Sequence, residues 1–184
     1  MTIFYKKLNL VLDSEDWDFL NYLVHTYVDK IEDVVIHGHP PTHQQYQQFF
    51  IRKSDNNYRD KNIFKKIANL FKPGIRLNSV DEIYDISQIS CVKSILTPHM
   101  DERKCALTIP LTKLTEPIYW YDITSSKSDS LKYKYTKVES YNYDCTASLI
   151  NTSKFHGSPD NNSTRIFFQV SFRDNIETVI DSLI

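Results

Sequence analysis

Residues suited to metal chemistry appear first in the stretch LTPHMDERKCALTIPL, Leu96 to Leu111, where His99 and Asp101 stand two apart ahead of an alternating apolar run. Alternate side chains of a strand share a face, so an imidazole and a carboxylate at this spacing supply two adjacent ligands to one cation. Such a pair alone is more commonly a hydrogen-bonded couple at a strand end, and a third ligand is needed. His156, in KFHGSPDNNSTRIFF at the end of the strand-like run ASLINTSKF, is the best-placed candidate. Two histidines and one carboxylate on one face of an ion leave the opposite positions open, which suits non-haem Fe(II) oxygen chemistry. Arg165 follows nine residues after His156, and a hairpin across GSPDNNST brings it back beside that ligand. A buried guanidinium needs an anionic partner, and Arg meets a carboxylate in a two-pronged geometry. Iron and an inward Arg across one cavity therefore call for a dicarboxylate cosubstrate. The plainer reading of Arg165 is a surface cation paired with Asp160 or Asp174.

These residues need strands to carry them. From about Val80 onward short β-rich runs follow one another: EIYDI, CVKSILTPH, KCALTIPL, PIYWYDI, LKYKYTKV, TASLINT and TRIFFQVSF. Each is bounded by turn-prone residues such as SSKSDS, a pattern that predicts an all-β sandwich or barrel. The preceding third is read as helical. Ser14 is the expected cap of a helix with Glu15 and Asp16 in its first turn, and Trp17, Leu20, Val24, Tyr27, Val28 and Ile31 on one face. A second helix from Asp60 buries Ile63, Phe64, Ile67, Leu70 and Phe71 and stops at Pro73-Gly74. Between them Tyr46 to Lys53 reads as a strand. The expected organisation is a single domain over 1–184: a mostly helical N-terminal support region (1–79), a β core (80–173) and a C-terminal helix (174–184) capped by Asp174.

Composition bounds the partners. The 184 residues are 41% hydrophobic and 24% charged, with a net charge of −1, ordinary values for a globular domain large enough to bury a core. That balance gives no indication of nucleic acid, whose binders usually carry a basic stripe. Cys91, Cys105 and Cys145 lack paired spacing, so neither a disulfide framework nor a cysteine-rich zinc site is expected. No apolar run reaches the length of a membrane span, and no signal-peptide pattern opens the chain; the expected location is the cytoplasm. Oligomeric state is not legible.

With His99-x-Asp101, His156 and Arg165 in this order on strands, the region from roughly Val80 to Phe172 resembles the 2-oxoglutarate- and Fe(II)-dependent dioxygenase superfamily. PHMDERKCALTIPL is similar to its small phage or bacterial members related to prolyl and other amino-acid or peptide hydroxylases. The resemblance implies a mainly β fold with flanking helices, the double-stranded β-helix or jelly roll of cupins. It implies iron held by His99, Asp101 and His156, with Arg165 binding the C5 carboxylate of 2-oxoglutarate. The implied reaction consumes O2 and hydroxylates a small-molecule, amino-acid or peptide substrate, prolyl among the options, with succinate and CO2 as coproducts. One position departs from the pattern. Many members carry Ser or Thr two residues beyond the Arg as a second donor to that carboxylate; here it is Phe167. Thr108, Tyr119 and Tyr121 are the candidates to replace it, and Arg103 is a candidate contact for a substrate carboxylate.

Other readings stand beside this one. A non-catalytic cupin-like binding module, or a different metalloenzyme using the same triad, would carry the same residues. His37, His39 and His43 in HGHPPTH form a rival imidazole cluster, but no carboxylate completes it and its Gly-Pro-Pro context reads as a surface loop. His25 reads as structural and Cys105 as a small core residue. Tyr133, Tyr135, Tyr141 and Tyr143 alternate as a half-buried sheet face would. Specificity is expected on the loops His37 to Gln48, Asp101 to Lys104 and Ser125 to Ser130.

Overall fold

The computed structural model describes residues 2–30, 32–35, 45–92, 96–113, 116–125, 133–144, 146–158 and 163–184. His37, His39, His43, Cys145, Asp160 and most of the 125–130 loop lie outside them. The first strand, β1 (Tyr5–Leu8), is followed by α1 (Ser14–Tyr27), β2 (Glu32–Val35), β3 (Gln45–Phe50), α2 (Asn62–Ala68) and α3 (Val80–Asp85). Then come β4 (Ser87–Val92), β5 (Leu96–His99), β6 (Cys105–Pro110), β7 (Ile118–Ser125), β8 (Tyr133–Tyr141), β9 (Ala147–Asn151), β10 (His156–Ser158), β11 (Arg165–Phe172) and α4 (Ile176–Asp181).

Two antiparallel sheets result. The larger has the order β1-β9-β6-β11-β4-β3-β2 and the smaller β5-β10-β7-β8. From β4 to β11 the chain crosses between the sheets at nearly every connection, the β7–β8 hairpin excepted, which makes a double-stranded β-helix. The N-terminal third is more than a helical support: β1 pairs with β9, and β3 pairs with β4.

The core strands of the large sheet are buried on both sides, and the two sides differ. Ile89, Cys91, Leu107, Ile109, Leu149, Phe168, Val170 and Phe172 join Leu20, Leu23, Ile63, Phe64, Ile67 and Phe71 in one apolar cluster. The alternate residues Gln88, Ser90, Thr108, Ser148, Arg165 and Gln169 are equally buried but polar, and by the period of two they face the small sheet. Between the sheets Trp120, fully buried, packs against Phe4 and Tyr5 and donates from Nε1 to the Asn151 carbonyl at 2.9 Å.

Local chemistry moved several boundaries. The cap of α1 is Asp13, not Ser14. Asp13 Oδ1 accepts the Asp16 amide at 3.0 Å while Asp16 Oδ2 accepts the Asp13 amide at 3.1 Å, a reciprocal capping box, and Lys66 Nζ reaches both carboxylates. The buried face of α1 is Asp16, Phe19, Leu20, Leu23 and Tyr27, so Phe19 and Leu23 take the inward places expected of Trp17 and Val24, which are only partly buried. EIYDI, read as a strand, lies in α3 because Ser79 caps the Glu82 amide and two acids occupy the first turn, favourable against the helix dipole. Asn175, not Asp174, precedes α4; Asp174 instead lies 4.0 Å from Arg76. His25 is exposed on the last turn of α1 rather than structural.

Packing and capping can be tested separately by urea unfolding. Phe64 is fully buried and contacts the Phe168 ring, so Phe64→Ala should cost about 3–5 kcal/mol. Asp13→Ala should cost roughly 1 kcal/mol, with Ser14→Ala near zero; equal losses at 13 and 14 would contradict the capping box.

Candidate metal centre

His99 ends β5 and His156 begins β10, where the two are direct cross-strand partners. Their ring centroids lie 4.4 Å apart. Both are buried, at 2% and 4% exposure. Asp101 follows in the turn after β5, its amide donating to the Thr152 carbonyl at 3.1 Å, which places Oδ1 3.3 Å from His99 Nε2. One ligand atom from each of the three residues lies within 4.8 Å of the others.

Hydrogen bonding prepares the donors. His156 Nδ1 lies 2.8 Å from the Lys154 carbonyl. A carbonyl only accepts, so Nδ1 carries the proton and the Nε2 lone pair faces the group, the arrangement common to metal-bound histidines. Burial, then the neighbouring His99, pushes the His156 pKa down to about 4, so the imidazole is neutral at pH 7. Burial acts to raise Asp101, but Arg103, His99 and His156 outweigh it and hold the carboxyl well below the usual carboxylate range. Two imidazoles and one carboxylate, converging and buried, form a donor set that fits a divalent transition metal.

Arg165 begins β11 in the opposite sheet and is 4% exposed. It lines one cavity together with His99, Asp101 and His156. The route differs from the expected hairpin. His156 belongs to β10 rather than to the end of β9, and β10 pairs with β5 and β7 whereas β11 pairs with β4 and β6. Arg165 thus looks at the metal group across the space between sheets. It is not a surface cation paired with Asp174.

The other expected site residues separate. Thr108 and Arg103 line the cavity. Tyr119 and Tyr121 do not: Trp120 shares the inward face of its partner His156, so its neighbours take the other face, where Lys137 covers the Tyr119 ring and Tyr135 meets Tyr121 edge-on. Tyr143 lines the cavity instead, packs against Phe167, and sits close enough to Arg165 to oppose electrostatically the effect of burial on it. The period of two from Tyr141, which is buried inward, was the available signal, read only as a sheet face. Glu116 also lines the cavity without having been singled out. Cys105 is a buried core residue whose thiol burial raises to about 12.

Fold and site define a class: a double-stranded β-helix bearing a His-Asp-His group that could hold a metal, with a buried Arg on the facing sheet. No protein-family model and no curated protein sequence matches the chain. Among solved structures it is similar to SnoK, a non-haem alpha-ketoglutarate-dependent carbocyclase from nogalamycin biosynthesis, at 11% identity and TM-score 0.46 over 97% of this chain and 85% of that one. It is also similar to a Pseudomonas putida prolyl-4-hydroxylase, at 9% identity and TM-score 0.47 over 93% of each chain. The Escherichia coli ribosomal oxygenase YcfD matches at 17% identity and TM-score 0.29, over 52% of this chain and 25% of that one. At such identities the chain's own strand order and inward side chains carry the assignment of the fold. No helix among the described residues is long and apolar enough to cross a membrane.

The pKa of His156 sets a pH window. The unfolded imidazole protonates below about 6.5, the folded one below about 4, so between these values the unfolded chain binds more protons. The contribution of His156 to the stability of the metal-free protein should be constant above pH 6.5 and fall by on the order of 3 kcal/mol towards pH 4. Urea titrations should show this loss shrinking in His156→Gln. Asp101, held low, acts in a separate window: its contribution is present above pH 3.8 and is lost further down.

Proposed function

We propose that the protein is an Fe(II)- and 2-oxoglutarate-dependent oxygenase that hydroxylates an amino-acid, peptidyl or other small substrate. One observation carries this reading: a group of two imidazoles and a carboxylate on one sheet faces a buried guanidinium on the other, across a shared cavity. A ligand satisfying both ends must chelate a metal with one end and carry a carboxylate at the other, as 2-oxoglutarate does.

When bound, iron would activate dioxygen, two of the electrons that reduce it coming from 2-oxoglutarate as it is oxidised to succinate and carbon dioxide and two from the substrate C–H bond. The chain's residues do the rest. His99, Asp101 and His156 hold the metal from one side and leave the cavity side for ligands. Arg165 orients the cosubstrate through its far carboxylate, and burial strengthens that charge-assisted contact. Tyr143, beside Arg165, supplies the hydroxyl missing at Phe167. Val92, Ile118 and Phe167 form apolar walls that limit water around the reacting groups.

Anaerobic addition of Fe(II) and 2-oxoglutarate should produce a weak visible charge-transfer band, and air should then yield slow succinate release even without substrate. Arg165→Ala should abolish the band at cosubstrate concentrations that saturate the wild type. Tyr143→Phe should raise the 2-oxoglutarate requirement roughly fivefold, the worth of about one hydrogen bond. Metal binding with neither band nor succinate would leave a cupin-like binding module and overturn the oxygenase reading.

A further inference from the structure

Arg103 lines the cavity, and protein groups hold its guanidinium at both ends. Its Nε donates to Asp101 Oδ2 at 2.7 Å. At the other end of the guanidinium, Nη1 donates to Gln169 Oε1 at 2.9 Å and to Ser171 Oγ at 3.1 Å. The two oxygens of Asp101 therefore have different neighbours: Oδ2 faces Arg103 and Oδ1 faces His99. We infer that Arg103 is a positioning residue, a clamp that withholds Asp101 Oδ2 from the metal and presents Oδ1 alone, with Gln169 as the fixed point that holds it. This rests on the metal centre proposed above.

The clamp is braced on every side. Arginine can only donate, so Gln169 must turn Oε1 towards it. The same oxygen accepts Ser90 Oγ at 2.7 Å, and Gln169 Nε2 is thereby directed to Thr108 Oγ1 at 3.3 Å. The amide is pinned from both neighbouring strands. The Arg103 backbone is pinned too: its carbonyl accepts Thr152 Oγ1 at 2.9 Å, and the next amide, Lys104, donates to the Phe172 carbonyl at 3.0 Å. Asp101 and Arg103 side chains are 13% and 15% exposed, so water competes weakly for either partner.

The clamp has a chemical consequence. A carboxylate can bind a metal through one oxygen or both. With three protein donors, a roughly octahedral ion keeps about three positions for other ligands. A chelating cosubstrate takes two and leaves one for dioxygen. A second Asp101 oxygen would take that last position. Holding Oδ2 on Arg103 keeps it open.

Manganese(II) tests this without oxygen chemistry, because metal-bound waters can be counted from water-proton relaxation. Wild-type protein loaded with Mn(II) alone should carry about one bound water more than Arg103→Met. With 2-oxoglutarate also bound, the wild type should keep about one metal-bound water and Arg103→Met none. Arg103→Lys, which keeps the charge and one donor but not the fork, should restore part of both. Gln169→Leu should shift both in the same direction as Arg103→Met, by less. General loosening of the fold would not remove a water. Thermal unfolding checks that each variant folds, and if Arg103→Met does not, the Lys and Leu variants decide. Wild-type water counts in the folded variants, with and without 2-oxoglutarate, would overturn the clamp. A wild type that binds Mn(II) but not 2-oxoglutarate would sink the oxygenase reading while the water count still reports on the clamp.

Discussion

Each central strand of the large sheet must satisfy two environments at once. One side of β4, β6, β9 and β11 lies against α1 and α2 and has to be apolar; the other looks onto the small sheet and carries Gln, Ser, Thr and Arg. Buried polar groups are tolerated only when their hydrogen bonds are met. The inner face meets them laterally, Ser90 with Gln169 and Gln169 with Thr108, and across to the small sheet, where Ser148 bonds Tyr141. A strand displaced by one residue would turn Phe168 and Val170 into the cavity and Arg165 into the helices. Register and site are thus one constraint, and the helices hold the site by fixing the register.

The small sheet contributes the opposite economy. Beside the long β7–β8 hairpin its other two strands are short, and β10 spans only His156–Ser158, yet this strand lies between β5 and β7 and carries one of the three converging donors at its first residue. The turn after β5 is tied by backbone bonds to Thr152, Ser153 and Phe172, so Asp101 stands on a loop that has little freedom left. Two imidazoles in contact would repel if both were protonated. Burial resolves that by keeping His156 neutral, which is also the state a metal requires.

Much of this was legible in the sequence because it is periodic. His99 and Asp101 are two apart, Phe168 and Val170 alternate with Phe167 and Gln169, and Ile63, Phe64 and Ile67 repeat at helical spacing. What was misread depends on contacts that no local pattern encodes. EIYDI suits either a strand or a helix, and Ser79 settled it. The interval from His156 to Arg165 reads as a hairpin because sequence shows proximity along the chain, not a change of sheet. Tyr119 and Tyr121 look as well placed as Tyr143, until pairing of Trp120 with His156 assigns the inward parity of β7. Arg103 suggests a substrate contact because its partners, Gln169 and Ser171, lie far along the chain.

Because His99, Asp101 and His156 belong to one sheet or its adjoining turn and Arg165 to the other, neither sheet owns the site. The gap between them is kept by side chains wedged in the seam, among them Trp120, Ile118 and Ile150. The molecule is in this respect a caliper. Its jaws are a metal-binding group and a guanidinium, and its setting is the thickness of a hydrophobic spacer. For the dicarboxylate cosubstrate we propose, one methylene too few or too many would leave one jaw unmet, and the filling of the seam, remote from either charge, would select the length of what is held.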